Sequence, residues 1–82
     1  MPRYFFDVLH VGDDVTRDHS GIDLPDLEAA TIEALEVWKR ILRERAAGAE
    51  DPFHWQVAIL DENGTALAKV PYPSELANEA AH

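Results

Sequence analysis

Asp13, Asp14, Asp18, His19 and Asp23 crowd one short stretch of an 82-residue chain, and His54 stands further on. Carboxylates with an imidazole are the side chains that hold divalent cations, so this stretch is the first place to look for chemistry. The spacing is wrong for a calcium loop, which needs acids at alternate positions, a central glycine and a later glutamate. Acids beside Gly12 and Ser20-Gly21 are also what turns and caps require. The four histidines, His10, His19, His54 and His82, are scattered, and the chain has no cysteine. None stands at the His-x₃-His spacing that places two ligands on one helix face. No nucleophile has a general base at a predictable distance. Gly12, Gly21, Gly48 and Gly64 are isolated, so no loop is built to cradle a phosphate. Trp38 and Trp55 suit a ligand pocket, yet in so short a chain they serve better as the two largest core pieces. The expectation is therefore a protein that is not an enzyme, with no catalytic residue, cofactor or metal. The alternative is a metal- or ligand-dependent protein using the Asp13–Asp23 loop with His54.

Charge narrows the partners. Sixteen acids against seven bases leave a net charge of −9. Nucleic acids and anionic membranes both reward clustered Lys and Arg, so neither is expected as a partner. The one basic cluster, Lys39-Arg40-Ile41-Leu42-Arg43-Glu44-Arg45, is interrupted by an acid and sits where a helix would end, as the macrodipole prefers. A second copy or another protein is expected instead, and a basic protein is the better electrostatic match. No apolar run is long enough to span a bilayer, and Asp7 interrupts the only stretch resembling a signal segment. A cytoplasmic protein is expected.

These side chains need elements to position them. Arg3 to Val11 is aromatic and β-branched and ends in Gly12-Asp13-Asp14, which is turn chemistry. Val15-Thr16-Arg17-Asp18 then reads as a short returning strand, its register left open, and residues 19–25 as a loop. Leu27, Ala30, Ala34, Trp38 and Ile41 recur at helical spacing. The predicted helix begins near Pro25 or Asp26, with Asp23 or Asp26 as N-cap, and runs to about Ala47, where Gly48 stops it. Phe53 to Leu60 reads as a strand. Asn63-Gly64 asks for a type I′ turn, pairing Glu62 with Thr65, Ile59 with Ala68, Val57 with Val70 and Trp55 with Tyr72. A type I turn with a glycine bulge would shift the pairing by one residue and set Val57 against Lys69.

The expected fold is α+β, a two-layer β-β-α-β-β domain over residues 1–72. A four-stranded antiparallel sheet carries one long helix across one face, and residues 73–82 form a tail with a short or fraying helix. Tyr4, Phe6, Val8, Trp55, Val57, Ile59, Ala68, Val70 and Tyr72 face the helix. Phe5, Leu9, Ala58, Leu60 and Leu67 point the other way, and His54 alternates to the same side. One helix shields one face only, so Phe5 needs cover from a second copy, a partner or the tail folded back. Phe5, Leu9, Leu60, Leu67 and His54 are the interface candidates.

Three motifs carry a resemblance: Pro2-Arg3-Tyr4-Phe5-Phe6, Leu24-Pro25-Asp26-Leu27, and Asp61-Glu62-Asn63-Gly64 leading to Val70-Pro71-Tyr72. In that order, over about residues 2–72, the chain resembles a family of short bacterial proteins of unknown function. The resemblance implies no activity. Many members have histidine after the two phenylalanines, where this chain has Asp7. Leu24-Pro25 and the helix also resemble, more loosely, the antitoxin halves of HicB-type pairs, in which an acidic domain holds a basic toxin. An appended DNA-binding segment is not expected, since it would have to fit in the ten residues after Tyr72. The expectation is a non-enzymatic interaction module or homodimer working through its uncovered sheet face or an edge strand.

Overall fold

Strand β1, Arg3–Leu9, runs down the middle of the sheet in a computed structural model that describes residues 1–44 and 52–74. Its alternation divides the protein: Tyr4 and Phe6 are buried beneath the helix, while Phe5 and Leu9 face away and are half-buried. Along one edge β1 pairs antiparallel with β4, Gln56–Leu60, and β4 with β5, Ala66–Pro71. Along the other edge lie two dipeptide strands, β2 (Val15–Thr16) and β3 (Ile22–Asp23). The α+β class and the antiparallel sheet agree with the sequence. The strand count does not, because β3 falls where a loop was expected. Two residues carry too little alternation to be read as a strand.

Helix α1, Leu27–Glu44, is the only α-helix of more than one turn among the described residues. Asp26 is its N-cap: its carboxylate accepts the Ala29 N–H at 2.9 Å and its carbonyl accepts the Ala30 N–H at 3.1 Å. Pro25 lies ahead of the cap and not in the first turn. Asp23, the other capping candidate, belongs to β3. The expected end of the helix at Ala47-Gly48, and the tail beyond Ser74, lie outside the described residues.

The core joins Ala30, Ala34 and Trp38 of α1 to Tyr4, Phe6, Val57 and Ile59 of the sheet. Trp55, Ala68, Val70 and Tyr72 pack around it. Trp38, Val57 and Ile59 are fully buried, and each aliphatic side chain so buried contributes about 1.5–3 kcal/mol. Small alanines at positions 30 and 34 let the helix sit close, and Trp38 fills the width this leaves. Its Nε1–H donates to the Val70 carbonyl at 3.0 Å, and its ring meets Tyr72 edge-on at 5.7 Å. The largest core side chain therefore also ties the helix to β5, the edge strand.

The β4–β5 hairpin keeps the expected register by an unexpected route. Val57 pairs with Val70 and Ile59 with Ala68. The turn, however, is not type I′, which needs positive φ at both central residues. Gly64 has φ 83°, whereas Asn63 does not have a positive φ. Instead the Gly64 N–H reaches the Asp61 carbonyl, the Asp61 N–H reaches the Thr65 carbonyl, both at 3.0 Å, and Leu60 pairs with Ala66. That is the one-residue shift that a glycine bulge imposes. A second irregularity between Ile59 and Leu60 absorbs Leu67 and restores the original pairing. The ladder ends at Gln56–Pro71, so Trp55 and Tyr72 pack near the core without pairing.

The start of β4 also differs from expectation. Pro52–His54 form a 3₁₀ turn, which takes Phe53 and His54 out of the alternating strand. Phe53 packs beside His54 and Tyr72, at ring distances of 5.2 and 5.3 Å. Replacing Trp38→Phe removes one buried hydrogen bond and leaves a gap, so urea unfolding is expected to show a loss of about 2 kcal/mol. An unchanged midpoint would contradict this role for the indole.

Candidate functional site

The side of the sheet opposite α1 is built by the outward residues of β1 and β4. Phe5, Leu9 and Leu60 are half-buried there, while Asp7 and Ala58, paired across the ladder, are buried at 6% and 4% exposure. No described helix or strand lies over them, and residues 17–21 reach in from the edge of β1. Leu67 is not part of this group. The bulge that absorbs it leaves it 43% exposed beside Pro2, Arg3 and Tyr4 near the hairpin turn. His54 is likewise off the face, exposed in the 3₁₀ turn. Phe5 and Leu60 are thus brought together across the ladder, Leu9 lies four residues further along β1 on the same face, and Leu67 and His54 are placed elsewhere.

Phe5 receives part of its cover from its own chain. Between β2 and β3, residues 17–21 run along the open edge of β1. Gly21, at φ 71°, lies so close that an added Cβ would stand 2.8 Å from Arg3 Cγ and 2.9 Å from Phe5 Cε2. The ring of Phe5 and the stem of Arg3 occupy the space that a side chain would need. Sequence reading treated Gly21 as one more loop glycine, since nothing local announces a close approach.

The same segment is sewn to β1 by two carboxylates. Tyr4 pairs with Ile22 and Val8 with Thr16 on this edge, leaving Phe6 between them without a strand residue. Its N–H donates to Asp18 Oδ2 at 3.1 Å, while Asp18 Oδ1 accepts the N–H groups of Ser20 and Gly21 at 3.0 and 3.2 Å. In return the Asp18 N–H donates to Asp7 Oδ1 at 3.0 Å. Burial pushes the Asp18 carboxyl up, but the amides of Ser20, Phe6 and Gly21 together outweigh it and hold the group below its ordinary value of 3.8. Asp23, bonded to Arg3 Nε at 3.0 Å, is held low by that contact.

Asp13, Asp14 and His19 are exposed and contribute no chelating group with their neighbours. Among the described residues, no three His, Asp or Glu side chains are placed to hold a metal ion. The acids of this loop make turns, an edge bond and an ion pair.

Phe5, Asp7 and Leu60 also line an open cleft of about 220 Å³, with Arg17, Asp18, His19, Asp61 and Glu62 at its rim. Asp7 is the residue that sequence reading undervalued. Alternation puts Asp7 on the far face, where a carboxylate belongs in water, yet its side chain is 8% exposed. Its Oδ2 has Arg17 Nη1 at 3.6 Å, an ion pair longer than a hydrogen bond. Asp61 and Glu62 are partly committed to the fold. Asp61 Oδ1 accepts the Asn63 and Thr65 amides at 2.9 Å, and Glu62 Oε1 accepts the Arg3 amide at 3.0 Å.

A family model described as a domain of unknown function (DUF6894) matches residues 3–73. The chain belongs to that family. The match covers β1 through β5, so the DUF6894 unit includes the helix-covered core, the uncovered face and the Asp7–Asp18 clasp. No curated protein and no solved structure matches the chain. Among the described residues, no helix is long and apolar enough to cross a membrane.

Two measurements test these contacts. Gly21→Ala adds both backbone strain and overlap with Phe5, so a loss of about 2–4 kcal/mol is expected. Gly12→Ala, at φ 73° with nothing within 4 Å, should cost only about 1 kcal/mol. Equal losses would mean that Phe5 does not rest on Gly21. For Asp18 the folded value is depressed, so its stabilisation is complete above the unfolded value of 3.8 and is lost as pH falls through the lower folded value. Asp18→Asn should therefore be less stable than the parent at neutral pH, with the gap closing below about pH 4. A gap independent of pH would show that charge on Asp18 is irrelevant.

Proposed function

We propose that this chain is a non-enzymatic, cytoplasmic protein-interaction module whose uncovered sheet face receives a basic protein. The observation that carries the reading is the half-buried pair Phe5 and Leu60, with Leu9 further along the same face, over which no described helix or strand is laid and beside which Asp7, Asp18, Asp61 and Glu62 outnumber Arg17. Apolar floor with a charged rim is the usual anatomy of a protein contact. The sign of the rim selects the partner. A second copy would bring another −9 against it, and residues 75–82 carry Glu75 and Glu79 with no Lys or Arg. A basic surface is the complementary one.

Two other surfaces serve less well. The edge of β5 has the Val70 carbonyl already engaged by Trp38 and ends at Pro71, which has no N–H to offer an added strand. The groove of about 390 Å³ between α1 and the β2–β3 edge mixes Asp18, Glu33 and Glu44 with Arg17 and Arg40, so its charge nearly cancels. Size sets the affinity class. Strand lengths and spacings make the far face about 20 Å by 20 Å, or roughly 400 Å², half of what a standard interface contributes per partner. Binding is therefore weak and transient unless the partner also grips the acidic rim.

A photo-crosslinking residue in place of Leu9, expressed in the native cell, is expected to join a protein of basic composition. Phe5→Asp should abolish the product, and the same probe in place of exposed Ile32 should give none. Crosslinking to a second copy or within the chain itself, or an adduct indifferent to Phe5→Asp, would refute the reading. Sedimentation across a concentration series provides the companion measurement, with a monomer expected.

A further inference from the structure

We propose that the cleft between Phe5 and Leu60 anchors one arginine side chain of the basic partner, whose guanidinium pairs with Asp7 Oδ2 in place of the chain's own Arg17. This rests on the docking face proposed above and names the group recognised there. The volume of about 220 Å³ falls below the roughly 300–1,000 Å³ of cofactor and drug-sized sites, so it suits a single side chain.

Asp7 supplies the demand for a cation. A carboxylate taken from water is costly unless it is paired and hydrogen-bonded, and this one, 8% exposed, has one hydrogen bond among the described residues, from the Asp18 amide to Oδ1. Among the described residues, Oδ2 meets only the Arg17 guanidinium, at 3.6 Å from a side chain that is itself 68% exposed. Arg17 thus marks where a guanidinium goes without occupying the place fully. A partner's arginine, entering over Phe5 and Leu60, would shed water from its stem, stack on the Phe5 ring and close the short contact that Arg17 leaves open. Arginine is favoured over lysine because its planar fork serves Asp7 while its remaining N–H groups face the Asp61 and Glu62 rim.

The test is a nuclear magnetic resonance titration of the isotope-labelled full chain with N-acetyl-arginine N-methylamide, beside the citrulline equivalent, which has the same shape and no charge. Arginine is expected to give saturable shifts centred on the amides of Phe5, Asp7 and Leu60, and citrulline none. Asp7→Asn keeps an oxygen for the Asp18 N–H and should weaken arginine binding about tenfold or more. Arg17→Ala, an exposed change that leaves the core intact, should strengthen it. Equal response to citrulline, shifts spread over the whole acidic surface, or indifference to both substitutions would overturn the anchor. If arginine fails here while Phe5→Asp still abolishes the Leu9 crosslink, the anchor is wrong and the docking face stands. If Phe5→Asp also has no effect, both fall.

Discussion

A carboxylate takes the place of a missing rung in the sheet, and much of the molecule follows from it. β1 is bordered on one side by two dipeptide strands that meet it at its ends, and the Phe6 amide between them would be left without a partner in a part-buried position. Such an amide costs about as much as a lost hydrogen bond. Asp18 satisfies it while folding residues 18–21 around its other oxygen, and Asp7 holds the Asp18 amide in return. The reciprocal pair keeps residues 17–21 against the sheet, which places Gly21 under Phe5 and Arg17 beside Asp7. Without this clasp there would be neither a half-covered phenylalanine nor a walled cleft.

The two faces of the sheet answer different demands. Towards α1, side chains interlock around Trp38, with alanines opposite the bulk. Away from α1 the same strands carry Phe5, Leu9, Leu60 and Ala58 with Gln56, Lys69 and a single acid, Asp7, and of these Ala58 and Asp7 are the most buried. A face meant only for water would not need Phe5, Leu9 and Leu60, and one meant only for burial would not place Asp7 among them. That mixture is the physical ground for reading the surface as a place of contact.

Much of the fold was legible because its signals are periodic. The inward residues of β1, β4 and β5 and the stripe of α1 follow from alternation and helical spacing, and the Val57–Val70 and Ile59–Ala68 pairs from matching apolar residues across a turn. What escaped depends on contacts between residues far apart in sequence. Ile22-Asp23 is a strand only because β1 lies beside it. His54 left the far face because a 3₁₀ turn after Pro52 broke the alternation that would have carried it there. Pattern alone is enough to place Phe5, Leu9 and Leu60 on the far face. Asp7 was seen but misjudged, since nothing in a strand sequence says that a loop eleven residues on will return to cover it.

The hairpin holds a further lesson about how its sequence can change. Its turn shifts the two strands by one position and the bulge at Leu67 shifts them back, so the two irregularities cancel. Loss of Leu67 would leave Leu60 opposite Ala66 and Ile59 opposite Ala68, so the ladder would close without turning Ala68 or Val70 out of the interior. The hairpin can therefore change its length in evolution at Leu67 while the interior keeps its register, because the bulge confines the extra residue to the far side of the ladder.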